Sequence, residues 1–202
     1  MAAALDDFLR MLQEHDAAPV RKRLAIRQRI DERFGANRSV LIGDLSGFSR
    51  RLADEGPVPF VSQIYRLRRL ATPIVRGHGG YLFKAYADQI LASFFSAEAA
   101  VLAAREIMRR AFEDSLTYDP DDRLALKIGV ATGRVLAIGE EEVWGQAVAI
   151  ASFLEGQAAP GELFVCAETQ AAVKCPGDGR AATVSGVPLR YYRIDAPVLG
   201  TG

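Results

Sequence analysis

Two aspartates stand where short apolar runs end. Asp44 closes Val40-Leu41-Ile42-Gly43, and Asp88 follows Gly79-Gly80-Tyr81-Leu82-Phe83-Lys84-Ala85-Tyr86-Ala87 and precedes Gln89-Ile90-Leu91-Ala92-Ser93-Phe94. An aspartate at a strand end is often only a turn former. Two of them, each at the end or turn of a β-type run, offer paired carboxylates and oxygen-only chemistry. Such a pair suits Mg²⁺, which keeps several waters and takes one or two carboxylates plus substrate phosphates. Two such ions can clamp the attacking and leaving oxygens of an in-line phosphoryl displacement.

The elements that would position these groups follow from periodicity. Leu5, Phe8, Leu9 and Leu12 form one helical stripe, Pro19 interrupts it, and Val20, Leu24, Ile30 and Phe34 form a second that Gly35 and Asn37 stop. Residues 1–36 thus read as a helical segment ahead of a domain spanning 37–196, with 197–202 as a frayed tail. The second helix carries Arg21, Lys22, Arg23, Arg27 and Arg29, which are a solvated face or the mark of a dimerisation or regulatory arm. Ser39–Leu45 reads as a buried strand. Pro57 and Pro59 open a helix through Phe60, Ile64, Leu67 and Leu70, which Pro73 is expected to kink or end. Residues 81–84 and 89–95 read as a hairpin, and Ser96 as the cap of a helix over 97–112. Strands are expected over 123–132 and 134–138 around Gly133, a helix over 144–154, a strand over 163–166, a short helix over 168–173, and a closing hairpin through Val184 and 189–194. Strands alternating with helices, hairpins included, imply an α+β domain with a mixed sheet.

Composition excludes several classes. The 202 residues suffice for one domain with an accessory segment, and half are hydrophobic. Lys plus Arg equals Asp plus Glu at 25 each, so no overall charge points to nucleic acid or an anionic membrane. No apolar run reaches the ~18–20 residues of a membrane span, and no signal-peptide pattern follows Met1. Two cysteines, Cys166 and Cys175, are too few for a disulfide framework, and two histidines too few for a zinc cluster. The expectation is a soluble protein of a reducing compartment, the cytoplasm.

Five segments in order carry a resemblance: "VLIGDLSGFS", "HGGYLFKAYADQILASF", "LKIGVATGRV", "EVWGQAVAIASFLE" and "APGELFVCAET". They resemble the successive motifs of the class III nucleotidyl cyclase domain and cover roughly Ser39 to Ile194. The resemblance implies a ferredoxin-like βαββαβ core with extra strands, acting as a head-to-tail dimer with nucleotide sites at the interface. It implies two Mg²⁺ or Mn²⁺ ions per site on Asp44 and Asp88, with the Leu45 carbonyl as a further ligand. Gly47, Phe48 and Ser49 would present backbone N–H groups to the phosphates. Lys127 falls where a phosphate-contacting arginine is common in the family; it keeps the charge and loses the bidentate fork.

The same resemblance makes Lys84 and Glu142 the base readers. Their chemistry suits adenine, whose N1 needs a donor and whose N6 amino group needs an acceptor. ATP is therefore the expected nucleoside triphosphate. Two positions depart from the family pattern. An asparagine that orients the ribose is replaced by Ala149, and an arginine that stabilises the transition state is replaced by Phe153. Such cations are worth about 10³–10⁵ in rate in related phosphoryl transfers. The family's late basic loop is also absent, with Ser185-Gly186 in its place, and Arg134, Arg50 and Arg51 are the cations that could substitute. Three readings stay open: a slow adenylate cyclase, a catalytically inactive homologue that binds nucleotide or a protein partner, and one half of a heterodimeric cyclase.

Overall fold

The computed structural model describes residues 2–45, 56–83, 89–140, 142–184 and 186–195. The chain opens with two helices, α1 (Ala2–Ala17) and α2 (Val20–Phe34), which fold back on each other around Pro19. Phe8 and Met11 of α1 and Ile26, Ile30 and Phe34 of α2 bury their side chains together with Ile138 of the sheet. Phe8 meets Phe34 edge to face at 5.2 Å. The spacing of Ile26, Ile30 and Phe34 turns one helical face to this cluster, while the basic residues of α2 face outward.

The next residue after α2 already belongs to a strand. β1 (Gly35–Leu45) is followed by α3 (Pro57–Gly77), β2 (Tyr81–Leu82), β3 (Ile90–Phe94), α4 (Ala97–Ser115), β4 (Leu126–Ile138) and β5 (Glu142–Gly145). Then come α5 (Gln146–Gln157), β6 (Leu163–Cys166), α6 (Ala167–Val173), β7 (Asp178–Val184) and β8 (Val187–Ile194). The sheet order is β2-β3-β1-β4-β6-β8-β7, with β5 paired to β4. Within β2-β3-β1-β4 every neighbouring pair is antiparallel, and β6 adds to β4 in parallel. This is the expected ferredoxin-like βαββαβ core, extended by β5 to β8.

Side chains alternate across the sheet. Leu41 and Leu45 of β1, Ile90 and Phe94 of β3, and Ile128 and Val130 of β4 pack against Leu67, Ile74 and Val75 of α3 and Ala104 and Ile107 of α4. Val40 and Ile42, with Ala131 and Val135, point to the opposite face and meet Ala147, Ala151 and Leu154 of α5. The Ser96 hydroxyl caps α4 by accepting the Ala99 N–H at 3.1 Å.

Two local expectations change, and a third narrows. Of the kink and the end expected at Pro73, the end does not occur, because Pro73 sits inside α3. It is exposed, so water can solvate the carbonyl one turn back that it leaves unbonded, while Ala71, Ile74 and Val75 stay buried on either side. β4 runs unbroken through Gly133, because β1 pairs with it continuously from Leu45↔Leu126 to Gly35↔Leu136. Trp144 belongs to β5, not to the following helix. Gly145, at φ 136°, makes the turn from strand into α5, and a Cβ there would come within 3.0 Å of the β4 backbone. Asp88, at the expected hairpin bend, lies outside the described residues.

Candidate functional site

Asp44 shares the α5 face of β1 with Val40 and Ile42. Directly across the ladder is Lys127 of β4. Two residues further along β4, on the same face, is Gly129, and there α5 lies hard on the sheet. A Cβ at Gly129 would fall 2.3 Å from the Ala151 carbonyl oxygen and 2.5 Å from the Glu155 nitrogen. That close approach brings Glu155 over Lys127. The Lys127 Nζ is 2.5 Å from Glu155 Oε1 and 3.6 Å from Asp44 Oδ2. Glu155 is 4% exposed, and the lysine and aspartate side chains are also mostly covered. Burial works to lower the Lys127 pKa. The bond to Glu155, the Glu155 charge and the nearby Asp44 outweigh it and hold the ammonium above the ordinary lysine range.

The donors present suit a hard cation. Asp44 brings a carboxylate whose Oδ1 is buried, and the Leu45 carbonyl is a further oxygen, while the Lys127 ammonium 3.6 Å from Asp44 competes with a cation for that carboxylate. Among the described residues, no group of three His, Cys, Asp or Glu side chains could hold a metal ion. Asp88, the second expected ligand, lies outside them, as do Lys84, Gly47, Phe48 and Ser49. Ile90, two residues after Asp88, pairs with Gly43, the residue before Asp44. Of the expected ligand set, Asp44 and Leu45 are the members among the described residues, and they stand together at the end of β1 beside Lys127.

The other sequence-expected groups are elsewhere. Glu142 pairs with Ile138 on β4, and its Oε2 accepts the Trp144 indole N–H at 2.8 Å. Ile138 and Lys127 are separated by roughly eleven strand positions, ~36 Å of extended chain. One copy of the chain thus keeps Glu142 apart from Asp44. Ala149 is exposed on α5, and Phe153 is half-buried, packed edge to face on Tyr191 of β8 at 6.1 Å. Arg134 is held by α2, its Nη2 2.7 Å from Asp31 Oδ2. The large surface grooves lie elsewhere: one of about 750 Å³ between α3 and α4 and one of about 770 Å³ beside Tyr65 and Tyr118. Neither is lined by Asp44, Lys127 or Glu142.

No family model matches the chain. The chain is 22% identical to the solved guanylyl cyclase Cya2, at a TM-score of 0.71 over 83% of this chain and 96% of that one. An adenylate/guanylate cyclase/hydrolase from Silicibacter pomeroyi aligns at TM-score 0.69 and 22% identity, over 81% of this chain and 99% of that one. A bacterial light-regulated adenylyl cyclase aligns at 0.68 and 20% identity, over 80% and 91%. The chain has the class III nucleotidyl cyclase fold. Two curated proteins are similar over 127 residues, 63% of this chain: a putative adenylate cyclase 3 of Rhizobium meliloti (strain 1021) at 26% identity and the serine/threonine-protein kinase pkn2 of Myxococcus xanthus at 27%. The chain spans 22% and 15% of their lengths, respectively. In this cyclase fold, Asp44 ends the first core strand and Ala149 and Phe153 occupy the helix that follows β5.

Glu155 is the residue that sequence reasoning missed. It ends the segment "EVWGQAVAIASFLE", and the resemblance gives it no role. A signal was available: Ala147, Ala151 and Glu155 recur at i, i+4 and i+8, so a carboxylate occupies the apolar face of the helix.

Proposed function

We propose that the chain is a nucleotidyl cyclase domain that converts ATP to 3′,5′-cyclic AMP and pyrophosphate, slowly, as a dimer in the cytoplasm. The ribose 3′-oxygen attacks the α-phosphorus, its proton leaves, and the bond to the bridging oxygen breaks to release pyrophosphate. The observation that carries the reading is Asp44 at the end of β1, facing Lys127, in a chain with the cyclase fold. Asp44, the Leu45 carbonyl and Asp88 would hold two Mg²⁺ or Mn²⁺ ions. When bound, these ions lower the pKa of the attacking hydroxyl and balance the triphosphate charge. Backbone N–H groups of Gly47, Phe48 and Ser49 orient the phosphates, and Lys127 adds positive charge at the same end of the sheet. Lys84 donates to adenine N1 and Glu142 accepts from N6.

The separation of Glu142 from Asp44 along β4 supports a site completed by a second copy, with the metal ligands of one chain facing the base readers of the other. No helix among the described residues is long and apolar enough to cross a membrane.

A second reading has its own observation. Ala149 carries no amide and Phe153 no charge, and Phe153 packs on Tyr191 instead. A domain lacking both groups could bind nucleotide and report to a partner without turnover, or pair with a different chain that supplies them. Incubation of the purified protein with each nucleoside triphosphate and Mn²⁺, with mass detection of cyclic products, separates these readings. Cyclic AMP above the other products supports the cyclase. Mn²⁺-dependent nucleotide binding without product supports the binding module, and cyclic GMP as the main product overturns the choice of ATP.

A further inference from the structure

A charge cluster at the β7 end of the sheet leaves one guanidinium over. Arg193 of β8 takes both nearby carboxylates, Glu162 Oε1 at 3.3 Å and Asp178 Oδ2 at 3.0 Å. The ladder sets this division, because Asp178 of β7 lies directly across from Arg193, while Arg180 lies across from Tyr191. Among the described residues Arg180 makes no ion pair and donates no hydrogen bond, and its charge acts on Glu162 only from a distance. Its guanidinium lies instead over the Phe164 ring, 4.8 Å from the centroid. That contact supplies no oxygen acceptor, so the fork of N–H donors stays unbonded on an exposed residue. The same rings lead to Phe153. Tyr191 meets Phe164 edge to face at 5.4 Å and Phe153 at 6.1 Å. Arg180 and Phe153 therefore border one ring on the α5 face of the sheet. Phe153 and Glu155 are about 200° apart around the helix, so this patch lies on the far flank of α5 from Lys127 and Asp44.

We propose, on the reading that this chain is a cyclase whose site is completed by a second copy, that Arg180 is a catalytic residue: it supplies from β7 the cation that Phe153 does not. As the 3′-oxygen bonds to the α-phosphorus and the bond to the bridging oxygen breaks, negative charge grows on the phosphoryl oxygens and on the leaving pyrophosphate. A guanidinium meets such oxygens through two parallel N–H bonds and stays protonated throughout, so it moves no proton. Arg134 is committed to Asp31, whereas Arg180 is committed to no carboxylate. Within one chain α5 stands between Arg180 and Asp44. Arg180 of one copy therefore acts on the nucleotide that Asp44 of the other holds.

The test measures cyclic AMP formed from ATP and Mn²⁺ by the full chain, with thermal melting of each sample. Arg180→Met keeps an apolar stem over Phe164 and removes the charge. Its kcat falls about a hundredfold, within what the loss of one transition-state donor costs, while KM and the melting temperature stay near those of the parent. Arg180→Lys keeps the charge without the fork and recovers part of the loss. Phe153→Arg added to Arg180→Met restores turnover from the other border of Tyr191. Parental turnover in Arg180→Met overturns the proposal. So does a loss that follows the melting temperature, as a mere cover for the Phe164 ring would give. Mixing Arg180→Met chains with Asp44→Asn chains tests the placement. A mixed dimer holds one site with both groups intact, so turnover returns on mixing, and no return overturns action across the two copies. A parent that forms no cyclic product overturns the cyclase reading and the role of Arg180 with it, whereas an active parent matched by Arg180→Met refutes only that role.

Discussion

Adding one methyl group at Gly129 tests the packing that builds the site. The new Cβ would lie 2.3 Å from the Ala151 carbonyl oxygen, 2.5 Å from the Glu155 nitrogen and 2.9 Å from the Leu154 Cβ. Two of these three atoms are backbone, so no rotamer change relieves the overlap, and α5 must lift from the sheet by about an ångström to restore ordinary contact. Overpacking of this kind costs about 1–3 kcal/mol. The backbone contacts put Gly129→Ala at the upper end, which for a chain of this length lowers the melting temperature by ~6–12 °C. Gly133→Ala, four residues further on the same face of β4, is the control. Its nearest neighbour would be the Ala147 Cβ at 3.7 Å, an ordinary contact, so its melting temperature should stay close to that of the parent. Denaturation of the two variants and the parent on one instrument reads the difference. A Gly129→Ala protein that melts with the Gly133→Ala protein would refute the close seating of α5, and with it the geometric basis for Glu155 beside Lys127.

Three further outcomes are expected. Ala149→Asn with Phe153→Arg should raise turnover by about one to three orders of magnitude, within what a transition-state cation supplies; a folded variant with no gain in the product assay counts against the cyclase mechanism. Lys84→Glu with Glu142→Cys should shift preference from ATP towards GTP in a competition assay, and an unchanged preference would mean that these residues do not read the base. Glu162 accepts the Ala159 N–H at 2.9 Å and meets Arg193 at 3.3 Å, which hold its carboxyl below the usual glutamate value. Its folded pKa is lowered, so its contribution is complete above the ordinary value of ~4.3 and is lost as pH falls through the folded one. The melting gap between parent and Glu162→Gln should therefore be present at neutral pH and close in acid, and a gap independent of pH would refute it.

The core was legible because its strands and helices are bounded by strong local signals. The apolar run ending at Asp44, the Ser96 cap and the leucine and isoleucine stripes each name an element without help from the rest of the chain. The limits of β4 were not legible, because a glycine within an apolar run reads as a break, and only the β1 ladder carries the strand through Gly133. Trp144 was misplaced for a related reason. An aromatic residue before a glycine fits a helix start as well as a strand end, and pairing of β5 with Val135–Ile138 decides between them. For the site, the sequence points to Asp44 and Lys127 separately. Their approach depends on register, and the contact with Glu155 depends on how closely a helix settles on Gly129. Neither is a local property of the chain.

The junction between α2 and β1 has a consequence for how this chain can vary in length. Phe34 ends the helix and Gly35 begins the strand, with no residue between them to absorb a change. A one-residue insertion there would rotate the helix by about 100° relative to the strand, or exchange the two faces of β1 if the helix held its place. The first outcome turns Ile26 and Ile30 away from Ile138, and the second turns Asp44 from the α5 face to the α3 face. Insertions or deletions at this boundary are thus phase errors, whereas the same changes in the turn around Pro19, between the two helices, leave both phases intact.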